Sequence, residues 1–322
     1  MIEKPVVDLH CDLLSFLNGV KNEPFATELI GCALPHLKQG NVQLQVMAIY
    51  SDYAKGSVAR AAGQGQHFVT LIENYPEWVA PYNANRKSDT IQCLVAIENA
   101  TGFAEEDDTL EVCFHQLDEL EKIVSRILYV GITHHFENRF GGGNYAPSGL
   151  TREGELLLEY LDEKKIAVDF AHTSDQLAYD IINYREKKGL KIPVMASHSN
   201  FRAVCDHVRN LPDDIAQYII QHKGLIGINF MRDYIHPSEP SMLLEHVAYG
   251  LALGAENTLA FGADFFYTLD MPDQSRVPFF MKEHENATKY PSVLKSLEQK
   301  GISDRQLNKI AHQNALAFIN RI

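Results

Sequence analysis

Short apolar runs recur along the chain, and most are followed by a stretch with helical spacing. They occupy residues 6–10, 42–50, 91–98, 127–134, 166–172, 192–198, 225–230 and 258–264. Runs this short, rich in β-branched residues, predict strands buried on both faces of a parallel sheet. Between them, residues 154–161 and 242–253 carry apolar positions at helical spacing. Eight such alternations predict an α/β fold of the (β/α)8 barrel type. An open doubly wound sheet is the competing arrangement, but no GxGxxG follows the first run. The Gly-rich stretch 141–149 and the Pro-bearing stretch 270–291 read as loops at the C-terminal mouth of such a barrel. Ser303 and Gln306 form a capping-box pattern that opens a final helix. No repeat or linker interrupts the pattern, so residues 1–322 are expected to form one barrel domain.

Composition narrows the partners. Lys and Arg number 29 against 42 Asp and Glu, a formal net charge of −13. So acidic a chain argues against nucleic acid and anionic membranes as partners, although one local arginine can still bind a small anion. No run approaches the ~20 apolar residues of a membrane span. The N-terminal residues show no signal-peptide pattern. The five cysteines are scattered and form no CxxC, which suits reduced thiols. Together these features lead us to expect a cytoplasmic protein.

The chemistry collects where the predicted strands end. His10 and Asp12 close the first, Glu98 the third, His134 the fourth with His135 beside it, His172 the fifth, His198 the sixth and Asp264 the eighth. In a parallel barrel these ends converge on one rim. Imidazoles and carboxylates are the donors that zinc and similar ions prefer. His10 and Asp12, two apart, point to the same side of a strand end and can share one ion. Glu98 can bridge two ions, and His172 with His198 can hold the second. Such a pair traps a hydroxide at neutral pH and needs no protein nucleophile. Each residue alone has an ordinary structural reading; the convergence of the set carries the expectation.

The order His10-x-Asp12, Glu98, Thr133-His134, Asp169-Phe170-Ala171-His172, Ser197-His198-Ser199-Asn200, Arg209-Asn210 and Gly262-Ala263-Asp264-Phe265 resembles the membrane (renal-type) dipeptidases of the amidohydrolase superfamily. Arg209, eleven residues after His198, is part of its most specific piece. The resemblance implies a zinc-dependent dipeptidase with two Zn2+ ions, which cleaves dipeptides by a metal-bridging hydroxide. It implies one ion on His10 and Asp12, a bridge at Glu98, and a second ion on His172 and His198. It further implies that His134 stabilises the oxyanion, Arg209 holds the free carboxylate of the substrate, and Asp264 shuttles the proton. A homodimer is also implied. Two departures stand out: Asn99-Ala100 after the bridging glutamate, and Phe266-Tyr267 after Gly262-Ala263-Asp264-Phe265. They bear on substrate preference more than on metal binding. Another metal-dependent hydrolase acting on amides or lactones, and a metal-binding homologue without turnover, are the alternative readings.

Overall fold

The computed structural model describes residues 4–85 and 89–322. Residues 1–3, the start of the stretch read as lacking a signal peptide, lie outside the described residues. The strands are β1 (Val6–Cys11), β2 (Val42–Ile49), β3 (Val79–Pro81), β4 (Ile91–Ile97), β5 (Ile127–Gly131), β6 (Ala167–Asp169), β7 (Val194–Ala196), β8 (Leu225–Ile228) and β9 (Leu259–Phe261). All pair in parallel, in the order β2-β1-β9-β8-β7-β6-β5-β4-β3, and β2 pairs again with β4 to close the sheet. Eight of these strands are the eight predicted runs, and the closed sheet is the expected (β/α)8 barrel. The addition is β3, which lies beside Ile91–Cys93 of β4. Three residues ending in proline are too short a run to stand out in a sequence.

Alternation along the strands divides the apolar residues between two cores. Val7, Leu9, Leu44, Val46, Leu94, Ala96, Leu128 and Met195 pack in one cluster inside the barrel. Ala315, Phe318 and Ile319 of the C-terminal helical segment join that cluster and close one end. Their odd–even neighbours, such as Val6, Met47, Val95 and Ile226, pack outward against the helices. Both faces of each strand are therefore apolar, which is why the sequence shows continuous runs rather than alternation.

The helices carry their own boundary signals. Thr151 accepts from the Gly154 amide to start Arg152–Lys164, and Ser174 accepts from Leu177 to start Asp175–Lys188. Gly189, at φ +67°, ends the latter. Met242–Ala252 matches the predicted second helix within one residue. The capping box of Ser303 and Gln306 forms as expected.

One expectation needs correction. Several residues read as strand ends lie beyond the ladder. β5 stops at Gly131, before His134; β6 at Asp169, before His172; β7 at Ala196, before His198; β9 at Phe261, before Asp264. The backbone leaves the sheet there, and His172 and Asp264 take φ values of +65° and +66°. Non-glycine residues enter that region only when their surroundings hold them in it.

Close approach of β7, β8 and β9 requires glycine. A Cβ on Gly262 falls 1.9 Å from the Ser197 carbonyl oxygen, whereas one on Gly19 meets nothing within 4 Å. Gly262→Ala is therefore expected to destabilise the fold by roughly 1–3 kcal/mol or more through overpacking. Gly19→Ala, inside helix Leu13–Gly19, should leave stability unchanged or raise it by up to ~1 kcal/mol. Thermal denaturation of the two variants checks both signs.

Candidate metal centre and substrate cavity

A cavity of about 480 Å³ opens at the C-terminal mouth of the barrel. That volume lies in the ~300–1,000 Å³ range of small-molecule sites. Asp12, Glu98, His134, His172 and Asp264 all line it. His10 and His198 lie fully buried just below.

Glu98 is the hub. Its Oε1 lies 3.1 Å from His172 Nε2, 3.7 Å from His134 Nε2, 3.7 Å from His198 Nε2 and 3.8 Å from His10 Nε2. His10 Nε2 is also 3.8 Å from Asp12 Oδ2 and 3.7 Å from Asp264 Oδ1. Four overlapping groups, His10–Asp12–Glu98, Glu98–His172–His198, His10–His198–Asp264 and His134–His135–His172, each bring their donor atoms within 4.8 Å of one another. His10 of β1 and residues just beyond β1, β4, β5, β6, β7 and β9 thus meet around one point. His135 is not part of this ring around Glu98: its Nδ1 pairs with Asn144 Oδ1 at 3.0 Å and its ring leans on Tyr145.

A layer of buried partners behind the donors fixes which nitrogen faces the cavity. Tyr129 donates its hydroxyl proton to Leu9 O at 3.0 Å, so its oxygen accepts from His10 Nδ1 at 2.8 Å. His10 Nε2 then carries a bare lone pair, and it is buried without a hydrogen-bond partner. Ser197 donates to Asp169 Oδ2, so its Oγ accepts from His198 Nδ1 at 2.6 Å, and His198 Nε2 is bare as well. His172 Nε2 sits 2.9 Å from that nitrogen, and His172 Nδ1 has no hydrogen-bond partner among the described residues. Whichever tautomer His172 adopts, one buried ring nitrogen is left unsatisfied.

The same carboxylates hold the rim backbone. Asp169 Oδ1 accepts from the Ala171 and Ser197 amides at 3.0 and 2.8 Å. Asp8 Oδ1 accepts from the Ala263 and His10 amides at 3.0 and 3.3 Å, and its Oδ2 from the Tyr290 hydroxyl at 2.7 Å. These hydrogen bonds replace the ladder where the strands end. Asp8, Asp169 and Tyr129 escape a search for ligand types at strand ends. The available signal was a carboxylate inside a run otherwise apolar enough to be buried on both faces.

Burial sets the charge state of the cluster. It holds His134, His172 and His198 neutral, far below the usual imidazole range, and takes His10 down to about 3, with Arg209 adding to the effect. It pushes Glu98 and Asp12 well up, helped by their neighbouring carboxylates, and Asp264 up to about 6 against the pull of Arg209. Neutral imidazoles with bare nitrogens beside crowded carboxyls form a donor set that a divalent cation satisfies, because a cation favours lone pairs and ionised oxygens together.

Two further groups complete the site. Asn229 Nδ2 donates to Asp264 Oδ2 at 2.9 Å, which leaves Oδ1 on the His10 side. Arg209 is almost fully buried and stands behind the cavity wall, its guanidinium 5.1 Å from the centroid of Tyr234, a lining residue. It reaches Ser199 Oγ at 3.4 Å and His198 O at 3.2 Å, its Nε is unpartnered, and no carboxylate among the described residues lies within ion-pair distance.

The departures also find structural causes. Asn99 caps Ala100–Gly102, donates to Ser51 O at 3.0 Å and accepts from Asn138 at 3.1 Å, so it staples the end of β4 to two neighbouring loops. Phe266 and Tyr267 line the cavity and pack on Phe279 and Phe16, giving it an aromatic wall. Both predicted loops are at the mouth: Gly143 bridges Thr173 beside His172, and 270–272 and Arg276 line the cavity.

Comparison with known proteins gives consistent results. The family model described as "Membrane dipeptidase (Peptidase family M19)" matches residues 1–322. Dipeptidase aclJ of Aspergillus oryzae is 23% identical over 315 residues, covering 89% of this chain and 69% of that protein. Among solved structures, the metallo peptidase dipeptidase AC superposes with a TM-score of 0.84 at 19% identity, over 99% of this chain and 98% of its own. A metallo peptidase from Rhodobacter sphaeroides, liganded with a phosphinate mimic of the dipeptide L-Ala-D-Ala, superposes with 0.83 at 18% identity, over 99% of both chains.

The partners behind the donors generate a test. Tyr129→Phe removes the acceptor for His10 Nδ1 but keeps the ring. It should leave the fold intact and weaken metal affinity by roughly 10–100-fold. Metal retention against a competing chelator measures this, and retention equal to the parent would show that Tyr129 does not orient His10.

Proposed function

The chain belongs to the membrane dipeptidase family, Peptidase family M19, whose members are metallo-dipeptidases, and from that premise we propose that it hydrolyses dipeptides at two zinc ions. His10 and Asp12 would hold one ion and His172 and His198 the other, with Glu98 placed to serve both. The observation that carries this reading is the convergence of four imidazole nitrogens on one oxygen of Glu98 within 3.8 Å. Two zinc ions in that position supply an activated hydroxide and Lewis acidity toward a carbonyl.

The remaining steps fall to side chains. Arg209 takes the free carboxylate of the substrate, since its planar fork binds two oxygens and no carboxylate among the described residues already pairs with it. That contact limits substrate length, because a longer peptide presents no carboxylate at that distance from the scissile bond. His134, kept neutral by burial, stabilises the developing oxyanion from the cavity wall. Asp264 takes the proton of the attacking water on Oδ1 and returns it to the leaving amine, while Asn229 holds Oδ2 in place.

Metal analysis combined with a dipeptide panel, including D-residues at the C-terminal position, tests the whole reading. His198→Ala should lose one metal equivalent and nearly all turnover; full metal content with normal activity refutes the assignment. Asp264→Asn should keep its metal and lower kcat by roughly 100-fold or more. Arg209→Ala should weaken dipeptide binding by roughly 2–5 kcal/mol, read as a raised KM. An unchanged KM removes Arg209 from that role.

A further inference from the structure

The final loop brings a second guanidinium to the cavity. Arg276 ends the short turn Gln274–Arg276, which Asp273 caps, and its side chain lines the cavity beside Tyr234, Met231 and Phe266. The loop is anchored to the segment after β8. Met231 bridges Phe280, and the Arg232 amide donates to Phe279 O at 2.8 Å. Arg276 lies 5.4 Å from the centroid of the Phe279 ring and donates from Nε to Asp233 Oδ2 at 2.9 Å.

That carboxylate is divided. Asp233 Oδ1 already accepts from Arg232 Nε and Nη2 at 3.0 and 2.9 Å. Neither arginine pairs with another carboxylate among the described residues. Two guanidinium groups on one carboxylate leave one positive charge uncompensated, and Arg276 is the member that faces the cavity. Phe279 and Met231 flank it, so its field is less screened than at an open surface. Its anchor, Asp233, directly precedes Tyr234, the ring under Arg209. The two cations therefore flank a single helical turn, Arg232–Ile235.

We infer that Arg276 is a specificity-determining residue that binds the side-chain carboxylate of an acidic C-terminal residue, so that dipeptides ending in Asp or Glu are the preferred substrates. This rests on the dipeptidase reading, with Arg209 holding the α-carboxylate. A neutral amide of the same shape fills the space but leaves the guanidinium without its anion.

The test compares Ala-Asp with Ala-Asn and Ala-Glu with Ala-Gln, in L,L and L,D forms, on the full zinc-loaded chain. The parent should favour each acid over its amide by roughly 10–100-fold in kcat/KM, mainly through KM. Arg276→Met should bring that ratio close to one, and Arg276→Lys, which keeps the charge, should restore part of it. No preference in the parent, or a ratio that survives in Arg276→Met while all substrates lose kcat alike, overturns the inference and leaves the dipeptidase reading standing. A parent that cleaves no dipeptide overturns that reading, and the inference with it.

Discussion

Where a parallel barrel ends, its ladder hydrogen bonds stop, and the amide groups they held need other acceptors. Two buried carboxylates meet that need here. Asp8 accepts from the His10 and Ala263 amides, tying the rim of β1 to β9, and Asp169 accepts from Ala171 and Ser197, tying β6 to β7. A buried backbone N–H without a partner costs about 1–3 kcal/mol, so these carboxylates decide whether the loops above the barrel have one conformation or several. The side chains of the site ride on those loops.

The same two groups set the chemistry one step further out. Asp169 orients Ser197, which directs the Nε2 of His198 toward Glu98. With Asp8 holding the amides around β1, Tyr129 does the same for His10. The left-handed backbone at His172 and Asp264 turns two more side chains into the cavity, and the surrounding hydrogen bonds hold that strained geometry. The outcome is a set of neutral imidazoles whose Nε2 atoms gather around one glutamate oxygen. Such a cluster has unmet demand for positive charge, which fits a family of metallopeptidases.

The walls of the cavity are built from less regular parts. Asn99, directly after Glu98, works as a staple between the ends of β4 and β2 and the loop at Asn138. Phe266 and Tyr267 instead reach the cavity itself and pack on Phe279 and Phe16. The final loop, fastened to the segment after β8, adds the guanidinium of Arg276 to that wall. The donor cluster and this part of the cavity wall thus rest on different elements.

The strands, and the residues that gather at the rim, were legible in the sequence because their causes are local. Burial on both faces makes a strand a continuous apolar run, and parallel closure brings the residues after each run to one rim, so His10, Asp12, Glu98, His172, His198 and Asp264 stood out by type and position alone. The ends of β5, β6, β7 and β9 fall earlier than the apolar runs; at β7 and β9 a side-chain acceptor from another strand, Asp169 and Asp8, takes over from the ladder, and no local pattern records that. The orientation of each imidazole, the roles of Asp8, Asp169 and Tyr129, the place of Arg209 behind Tyr234, and the sharing of Asp233 between two arginines were decided only by tertiary structure. Each depends on a hydrogen bond or charge pair between residues far apart in the chain, and apolar periodicity carries no information about such pairs.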